Sequence, residues 1–180
     1  GEVHDVDLKN CTIGTYNVLE AMHQSGVKKL LFPSSSTIYG EIRKFPTPED
    51  AGPALPVSLY GAGKLACEGL ISAYSHLFGL EGLIFRFGNV LGARMSHGVL
   101  HDFILKLRRN PREMEILGDG RQNKNYFLVE DCIDGMLWAL QNCKARCDVF
   151  NLGSETTVTV NEIAQIVVEE MKLKDVRFQY

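Results

Sequence analysis

The sequence predicts an α/β fold built around a parallel sheet. Short apolar runs of the strand type alternate along the chain with helical patterns of about 10 to 20 residues, an order typical of βαβ units with right-handed crossovers. The composition agrees with an ordinary folded domain, because 45% of the 180 residues are hydrophobic and 23% are charged. No internal repeat or low-complexity tract interrupts the alternation, so a repeat architecture is not predicted.

Helices are predicted where apolar residues recur at helical spacing between residues that cap helix ends. Gly26 and Gly79 occupy the positions of left-handed C-terminal caps, and Ser58 can cap the N-terminus of the longest helix. Thr159 and Glu162 form a capping box. The predicted helices cover residues 7–25, 59–78, 99–109, 131–140 and 159–171.

Strands are predicted where short apolar runs end at turn-forming residues such as Pro33. A proline-rich loop is predicted over residues 41–57, because prolines recur there at a spacing that no helix or central strand tolerates. The predicted strands cover residues 29–32, 82–87, 113–117, 126–129, 149–152 and 176–180, the last as an edge strand.

The charge pattern excludes several classes of partner. A net charge of -3 leaves no basic patch, so nucleic-acid binding is not predicted. No run approaches the roughly 18 consecutive apolar residues that span a bilayer, and residues 1–5 are too acidic for a signal peptide. We therefore expect a cytoplasmic protein without membrane contact. The five cysteines contain no CxxC pair, so neither a disulfide framework nor a metal site is predicted.

A cluster of hydroxyl side chains follows the first predicted strand. It consists of Ser34, Ser35, Ser36 and Thr37. Open α/β sheets bind their ligands beyond the carboxyl ends of the strands, and this cluster stands at such an end. The cluster therefore predicts a ligand site there.

Tyr60 and Lys64 are four residues apart on a predicted helix, so the phenol and the ammonium lie on one face. Forming a tyrosine anion at pH 7 costs about 4 kcal/mol, because the ordinary pKa is near 10. A lysine cation within ~4 to 6 Å lowers that pKa by about one to three units. The spacing alone is common in helices, but together with the upstream hydroxyl cluster it predicts a general base near neutral pH.

Several motifs resemble those of the extended short-chain dehydrogenase/reductase family, in its nucleotide-sugar epimerase/dehydratase branch. The resemblance covers almost the whole chain and keeps the family's order. The motifs are Asn10-x-x-x-Gly14-Thr15-x-Asn17-Val-Leu-Glu20, Phe32-Pro-Ser-Ser-Ser-Thr-Ile-Tyr-Gly40, Pro48-Glu49, Tyr60-Gly-Ala-Gly-Lys64-x-x-x-Glu68, Arg86-Phe-Gly-Asn89-Val-x-Gly92, Gly118-Asp-Gly-x-Gln122 and Val129-x-Asp131.

The resemblance implies the C-terminal half of a Rossmann-like doubly wound parallel sheet and part of a small α/β substrate-binding domain. Residues 1–90 would be the C-terminal half of the NAD-binding domain, with residues 91–180 a mixed segment of substrate-binding elements and late Rossmann elements. The family's glycine-rich fingerprint would precede this chain, within about ninety missing residues. The one G-x-G-x-x-[GA] match, at residues 61–66, falls inside a predicted helix and is interpreted as a chance match. The C-terminus is also shorter than the family pattern.

The family's catalytic roles map onto Ser35, Tyr60 and Lys64. The resemblance implies that Tyr60 is the catalytic base and acid. Lys64 would bind the nicotinamide ribose and lower the pKa of Tyr60. Ser35 would hydrogen-bond the reacting sugar hydroxyl. NAD is the implied cofactor, with a nucleotide sugar of the UDP-hexose type as substrate.

Further contacts are implied on both sides of this centre. The cofactor side would add Ser34, Phe87 and Gly88, and the substrate side would add Ser36, Thr37, Asn89 and Lys124. Lys124 stands where the family usually has an arginine, so a bidentate diphosphate contact becomes a point charge. Asn10 is expected to be buried in its helix, where it would fix local backbone or a water near Lys64.

The reaction is predicted from the residues after Ser35. Related dehydratases and decarboxylases place acidic residues there, whereas this chain has Ser36 and Thr37. Epimerisation by transient oxidation and re-reduction, of the UDP-glucose/galactose 4-epimerase type, is therefore favoured. The alternatives are a nucleotide-sugar dehydratase, decarboxylase or reductase, and a non-catalytic dimerisation or nucleotide-sugar-binding fragment. The resemblance also implies a homodimer formed through the helices near residues 7–25 and 59–78.

Overall fold

The computed structural model describes residues 5–42 and 44–180, and these fall into two units. The first unit runs to Gly88 and resumes over Cys132–Leu152. The second unit consists of Asn89–Asp131 and Gly153–Tyr180. Most of the N-terminal stretch on which the signal-peptide argument depends, residues 1–4, lies outside the described residues. Within the described part of the chain, no helix has the length and apolarity needed to cross a bilayer.

The described elements alternate between helices and strands. The strands are β1 (Lys29–Ser35), β2 (Glu81–Phe87), β3 (Asn89–Leu91), β4 (Glu113–Glu115), β5 (Asn123–Leu128), β6 (Cys147–Leu152), β7 (Thr157–Thr159) and β8 (Arg177–Gln179). The α-helices are α1 (Gly14–Ser25), α2 (Leu59–Phe78), α3 (Val99–Arg109), α4 (Val129–Asn142) and α5 (Val160–Glu170). A π-helical segment, Leu8–Ile13, precedes α1, and a 3-10 turn, Ser36–Tyr39, follows β1.

The predicted helix caps are confirmed. Gly26 and Gly79 end α1 and α2 with left-handed φ angles of 74° and 70°. Ser58 begins α2 by accepting the backbone N–H of Gly61, and α5 begins at the complete capping box of Thr159. These local signals therefore fixed the helix ends correctly.

The first unit contains a parallel sheet in the order β1-β2-β6. Successive residues of β2 face opposite sides of this sheet. Ile84 packs with Leu19 of α1 and Ile71 of α2, whereas Leu83 and Phe85 pack with Ala139 of α4. Helices therefore cover both faces, which confirms the predicted doubly wound α/β fold.

The second unit contains two small sheets. One has the order β3-β5-β7, with β5 antiparallel to β7, and the other pairs β4 with β8 in parallel. Phe103 and Leu107 of α3 pack with Met114 of β4 and with Ile163 and Val167 of α5. The strand predicted at residues 176–180 is thus present as β8. β3 and β7 were not predicted, because three-residue strands are too short to show an apolar period.

The first helix differs from the prediction at its beginning. The sequence predicted a regular helix from residue 7, but Leu8–Ile13 forms a π-helical segment before α1. Asn10 lies in this segment and is exposed, so the expectation that it is buried is wrong. The wider π-helical turn changes which residues face the protein interior, and spacing counted at 3.6 residues per turn misplaces them.

Candidate active site

The hydroxyl cluster lies where β1 ends and the chain enters the 3-10 turn. Ser35 is the N-terminal cap of this turn: Thr37 donates to the Ser35 Oγ from its backbone N–H at 3.3 Å and from its hydroxyl at 3.0 Å. Thr37 is exposed, and Ser35 and Ser36 are half-buried. The register of the parallel sheet places Ser35 opposite Phe87, the last residue of β2. These residues therefore share the carboxyl edge of the sheet.

The first turn of α2 brings Tyr60 to the same edge. Tyr60 is 44% exposed, and the Ser35 hydroxyl lies close enough to its phenol to act on its pKa. The structure thus brings two of the three predicted catalytic side chains together. A reactant at this edge can reach both hydroxyl groups.

Lys64 lies one turn further along α2. Its Nζ donates to the Pro33 carbonyl oxygen at 2.7 Å, and it stands 4.9 Å from the centre of the Phe32 ring and 5.7 Å from that of the Tyr60 ring. An ammonium group has three N–H donors, so two are left for a ligand. Lys64 is therefore held beside Tyr60 by the backbone of β1.

The pKa of Tyr60 differs from the sequence-based expectation. Burial raises the pKa of Tyr60 above its ordinary value of 10.0, and the hydrogen bond from Ser35 opposes this rise without cancelling it. The lowering predicted from Lys64 is therefore not what these side chains produce by themselves. The reason is geometric, because the ammonium points to the Pro33 carbonyl while the phenol loses part of its hydration.

Ser34 is placed differently from its predicted role on the nicotinamide side. Its side chain is 2% exposed, and its hydroxyl donates to Glu68 Oε1 at 2.5 Å. In a strand, neighbouring side chains face opposite sides, so Ser34 points into the protein while Ser35 points to the edge. The Ser34 side chain is thus bonded inside the protein, and its predicted contact with the cofactor stays a prediction.

Sequence reasoning assigned no role to Glu68 or Arg86, although both belong to the quoted motifs. Arg86 holds the Glu68 carboxylate through Nη2 at 2.7 Å and Nε at 3.1 and 3.2 Å. Arg86 also donates to the Tyr39 hydroxyl and to the Glu49 carbonyl oxygen, both at 2.8 Å. The available signal was a glutamate four residues after Lys64, on the helix face that also carries Tyr60 and Lys64.

Phe87 and Gly88 complete the edge within the first unit. Phe87 is half-buried, with its ring stacked 6.5 Å from that of Phe85. The backbone N–H of Gly88 donates to the Leu152 carbonyl oxygen at 2.8 Å, which continues the sheet by one residue. Both residues lie on the same sheet edge as Ser35, which is compatible with the predicted cofactor contact.

Asn89 and Lys124 belong to the second unit. The Asn89 amide donates to the Asn125 carbonyl oxygen at 2.8 Å, which leaves its own side-chain oxygen free to accept. Lys124 lies on β5 opposite Val158 and is exposed. Asn125 fixes this part of β5, because its side chain accepts the backbone N–H of Ser154 at 2.9 Å. The predicted substrate contacts of Asn89 and Lys124 stay predictions.

The glycines of the 61–66 match serve packing of the helix. A Cβ on Gly61 would lie 2.8 Å from the Thr37 carbonyl oxygen and 3.0 Å from the Pro56 Cβ. Gly61 thus lets α2 approach the 3-10 turn that carries the hydroxyl cluster. This close approach explains the residue without a phosphate ligand. Among the described residues, no group of three or more His, Cys, Asp or Glu side chains could hold a metal ion.

Comparisons with known proteins place these features in one family. The model of the NAD dependent epimerase/dehydratase family matches residues 4–153. GDP-mannose 3,5-epimerase from Arabidopsis thaliana is 33% identical over 183 residues, which cover 94% of this chain and 48% of that protein. The chain spans about half the length of the curated relatives it matches.

Solved structures of epimerases share this fold. A crystal structure of UDP-galactose 4-epimerase superposes with a TM-score of 0.90 at 40% identity, covering 99% of this chain and 59% of that one. UDP-glucuronic acid 4-epimerase from Bacillus cereus, in complex with UDP-glucuronic acid and NAD, superposes with a TM-score of 0.84 at 28% identity. The match covers 95% of this chain and 55% of that one.

Proposed function

We propose that this chain, which belongs to the NAD dependent epimerase/dehydratase family, carries the catalytic centre of an enzyme that epimerises a UDP-hexose at C4. The single observation that carries the proposal is the placement of the Ser35 hydroxyl beside the Tyr60 phenol, whose pKa it acts on, next to the anchored Lys64 ammonium. The similarity to UDP-galactose 4-epimerase over 99% of the chain supports the reaction and the substrate class.

The donor set at the sheet edge fits the nicotinamide-ribose end of NAD. Lys64 offers two further N–H donors and Tyr60 a hydroxyl, which match the paired hydroxyls of a ribose. Phe87 and Gly88 would flank the nicotinamide at the end of β2. When bound, NAD supplies the hydride acceptor and donor and a positive charge near the phenol.

Tyr60 and Ser35 perform the proton transfer in this proposal. The raised pKa of Tyr60 means that the phenol holds its proton until a ligand adds positive charge at the edge. Once its own proton has passed to solvent, Tyr60 accepts the proton of the sugar C4 hydroxyl, while Ser35 hydrogen-bonds the same oxygen. After the sugar has turned its other face to the edge, Tyr60 returns the proton to the C4 oxygen, which becomes the hydroxyl of the epimer.

The side chains after Ser35 favour oxidation and re-reduction over elimination. Loss of water, or exchange of a proton on a carbon beside the ketone, needs a further acid or base near the sugar. Ser36 and Thr37 offer neutral hydroxyls at that position. They suit the binding of sugar hydroxyls, and selectivity for the hexose would depend on them.

A homodimer is proposed through the surface that α1 and α2 share. Apolar side chains are exposed on these helices and on the preceding π-helical segment; they include Leu8 (54%), Tyr16 (45%), Val18 (51%) and Leu77 (68%). Helix pairs with such faces associate as four-helix bundles. Light scattering of the complete gene product is expected to give twice the mass of one chain. The Val18→Glu variant is expected to give the mass of a single chain.

The proposed function is tested by incubating the complete gene product with NAD and UDP-glucose or UDP-galactose. Proton NMR is expected to show the same mixture of both sugars from either starting compound. Tyr60→Phe should lower the rate by at least about 100-fold, because it removes the proton carrier. The exposed Tyr180→Phe serves as the control and should keep full activity. An active Tyr60→Phe variant would refute the mechanism, and absence of NAD binding would favour the non-catalytic alternative.

A further inference from the structure

Three consecutive residues of β1 lie against three side chains of α2. The Pro33 carbonyl accepts the Lys64 ammonium at 2.7 Å, and the Ser34 hydroxyl donates to Glu68 at 2.5 Å. The Ser35 hydroxyl lies beside the Tyr60 phenol and opposes the rise of its pKa. The three α2 residues are spaced by four and share one helix face. The end of β1 is thus hydrogen-bonded to α2 at the two residues that precede Ser35.

The Ser34 contact differs from the other two because it is fully inside the protein. Glu68 is 5% exposed and Ser34 is 2% exposed, so neither has solvent as an alternative partner. Arg86 balances the charge of the Glu68 carboxylate through the ion pair described above. The Oε1 atom of this paired carboxylate accepts the Ser34 hydroxyl. Hydrogen bonds to an ionised acceptor are short and about twice as strong as neutral ones.

We propose that Ser34 and Glu68 are positioning residues that set the geometry between Ser35 and Tyr60. This inference deepens the proposed function and rests on it for its catalytic consequence. The backbone between Ser34 and Ser35 is one peptide unit, so a shift at Ser34 moves the Ser35 hydroxyl directly. Glu68 lies two helical turns after Tyr60 on the same face, so the bond to Ser34 determines how far β1 slides along α2.

The anchor of Glu68 is itself tied to the rest of the first unit. Arg86 donates to Tyr39 at the end of the 3-10 turn that begins at Ser35. Tyr39 in turn donates to the Asn151 side chain on β6 at 2.8 Å. Both ends of the turn that carries the hydroxyl cluster are therefore connected to Glu68, one through Ser34 and the other through Arg86.

Ser34→Ala tests the inference, with Ser75→Ala as a matched control. Ser75 is also buried, at 4% exposed, and its hydroxyl acts on the pKa of Cys147, but it lies near the far end of α2. Both variants delete one buried hydroxyl group. They are compared in the complete gene product, at a temperature below both melting points.

The first readout is the split between kcat and KM for UDP-hexose epimerisation. Ser34→Ala is expected to lower kcat about tenfold, the fold-change equivalent to ~1.4 kcal/mol of transition-state stabilisation. KM should stay within about twofold, because the side chains of Ser34 and Glu68 are buried. Ser75→Ala should leave both constants unchanged. Equal kcat in the two variants would overturn the inference.

The second readout does not require activity. With tyrosine labelled with carbon-13 at Cζ, NMR follows the ionisation of Tyr60, whose signal is identified by its loss in Tyr60→Phe. Ser34→Ala should move the pKa of Tyr60 upward, since the Ser35 bond that lowers it is loosened. Ser75→Ala should leave the titration unchanged. If the wild-type protein epimerises no sugar but this shift appears, the proposed function fails and the positioning role stands. If Ser34→Ala leaves the titration unchanged, the positioning role fails.

Discussion

Arg86 and Glu68 form a buried two-pronged ion pair at the centre of the first unit. The Arg86 side chain is 10% exposed and that of Glu68 is 6% exposed, and their closest atoms are 2.7 Å apart. Removing one partner of a buried pair leaves an uncompensated charge in the interior, which costs more than the pair itself contributes. The pair therefore couples the stability of the sheet to the geometry of the candidate site.

Glu68→Gln is expected to lower the free energy of unfolding by about 3–5 kcal/mol, because Arg86 loses its counter-charge. The matched control is Glu81→Gln, which removes the exposed pair of Glu81 with Lys29 at 3.2 Å. That change should cost less than about 1 kcal/mol, because solvent screens the pair. Urea unfolding of both variants checks the prediction, and equal losses would contradict it.

Ser35→Ala is expected to reduce turnover by about 100-fold, since in the proposed mechanism the Ser35 hydroxyl and Tyr60 act on the same reacting oxygen. It should also raise the pKa of Tyr60, because the Ser35 hydrogen bond is what lowers it. The pH–rate profile and the Tyr60 titration measure both effects. Ser25→Ala, which deletes an exposed hydroxyl bonded to the Ala21 carbonyl, provides the control. A Ser35→Ala enzyme with an unchanged profile would contradict the assigned role.

Two glycines of α2 should respond oppositely to alanine. Gly61→Ala places a Cβ 2.8 Å from the Thr37 carbonyl oxygen, so the helix must move away from the 3-10 turn. We expect a loss of stability of about 1–3 kcal/mol, typical of overpacking, together with a loss of turnover. Gly69 has no atom within 4 Å of such a Cβ. Gly69→Ala should therefore raise stability by about 0.5–1 kcal/mol. Melting temperatures that fall equally would contradict this reasoning.

The capping contacts of Glu162 should make the stability of the fold sensitive to acid. The Thr159 backbone N–H at 2.6 Å and the Thr159 hydroxyl at 2.8 Å hold the pKa of Glu162 below its ordinary value of 4.5. Because the pKa of Glu162 is lower in the folded state, Glu162 stabilises the protein fully at a pH above its pKa in the unfolded chain. This stabilisation is lost as the pH falls through its pKa in the folded protein. Wild-type protein should therefore lose more stability than Glu162→Gln between about pH 6 and pH 3. Urea unfolding at each pH measures these losses. Equal losses of stability in the two proteins would contradict the prediction.

Features with a local cause could be predicted from the sequence. The caps at Gly26, Gly79, Ser58 and Thr159 depend only on nearby residues, and the structure has them where they were predicted. The edge position of Ser35 and Tyr60 followed from the strand end and the helix start. The family and its NAD dependence were likewise recognisable from the ordered motifs.

Features that depend on tertiary packing were missed or misjudged. The inward orientation of Ser34 depends on which side of β1 meets α2, and the apolar run of a buried parallel strand does not show this. The upward shift of the Tyr60 pKa depends on burial of the phenol, which outweighs the opposing effect of the Ser35 hydroxyl. β3 and β7 exist only because they pair with β5. The functional division at residue 90 stays a prediction.

In the proposed mechanism the sugar is oxidised at C4 and reduced again with the same hydrogen. The most direct test uses UDP-glucose deuterated at C4, the complete gene product and ordinary water, with mass spectrometry of the UDP-galactose formed. The mechanism predicts that the product keeps its deuterium, because the transferred hydride never exchanges with solvent. Product that carries hydrogen in place of deuterium would show proton exchange at carbon, and would contradict the account built on Ser35, Tyr60 and Lys64.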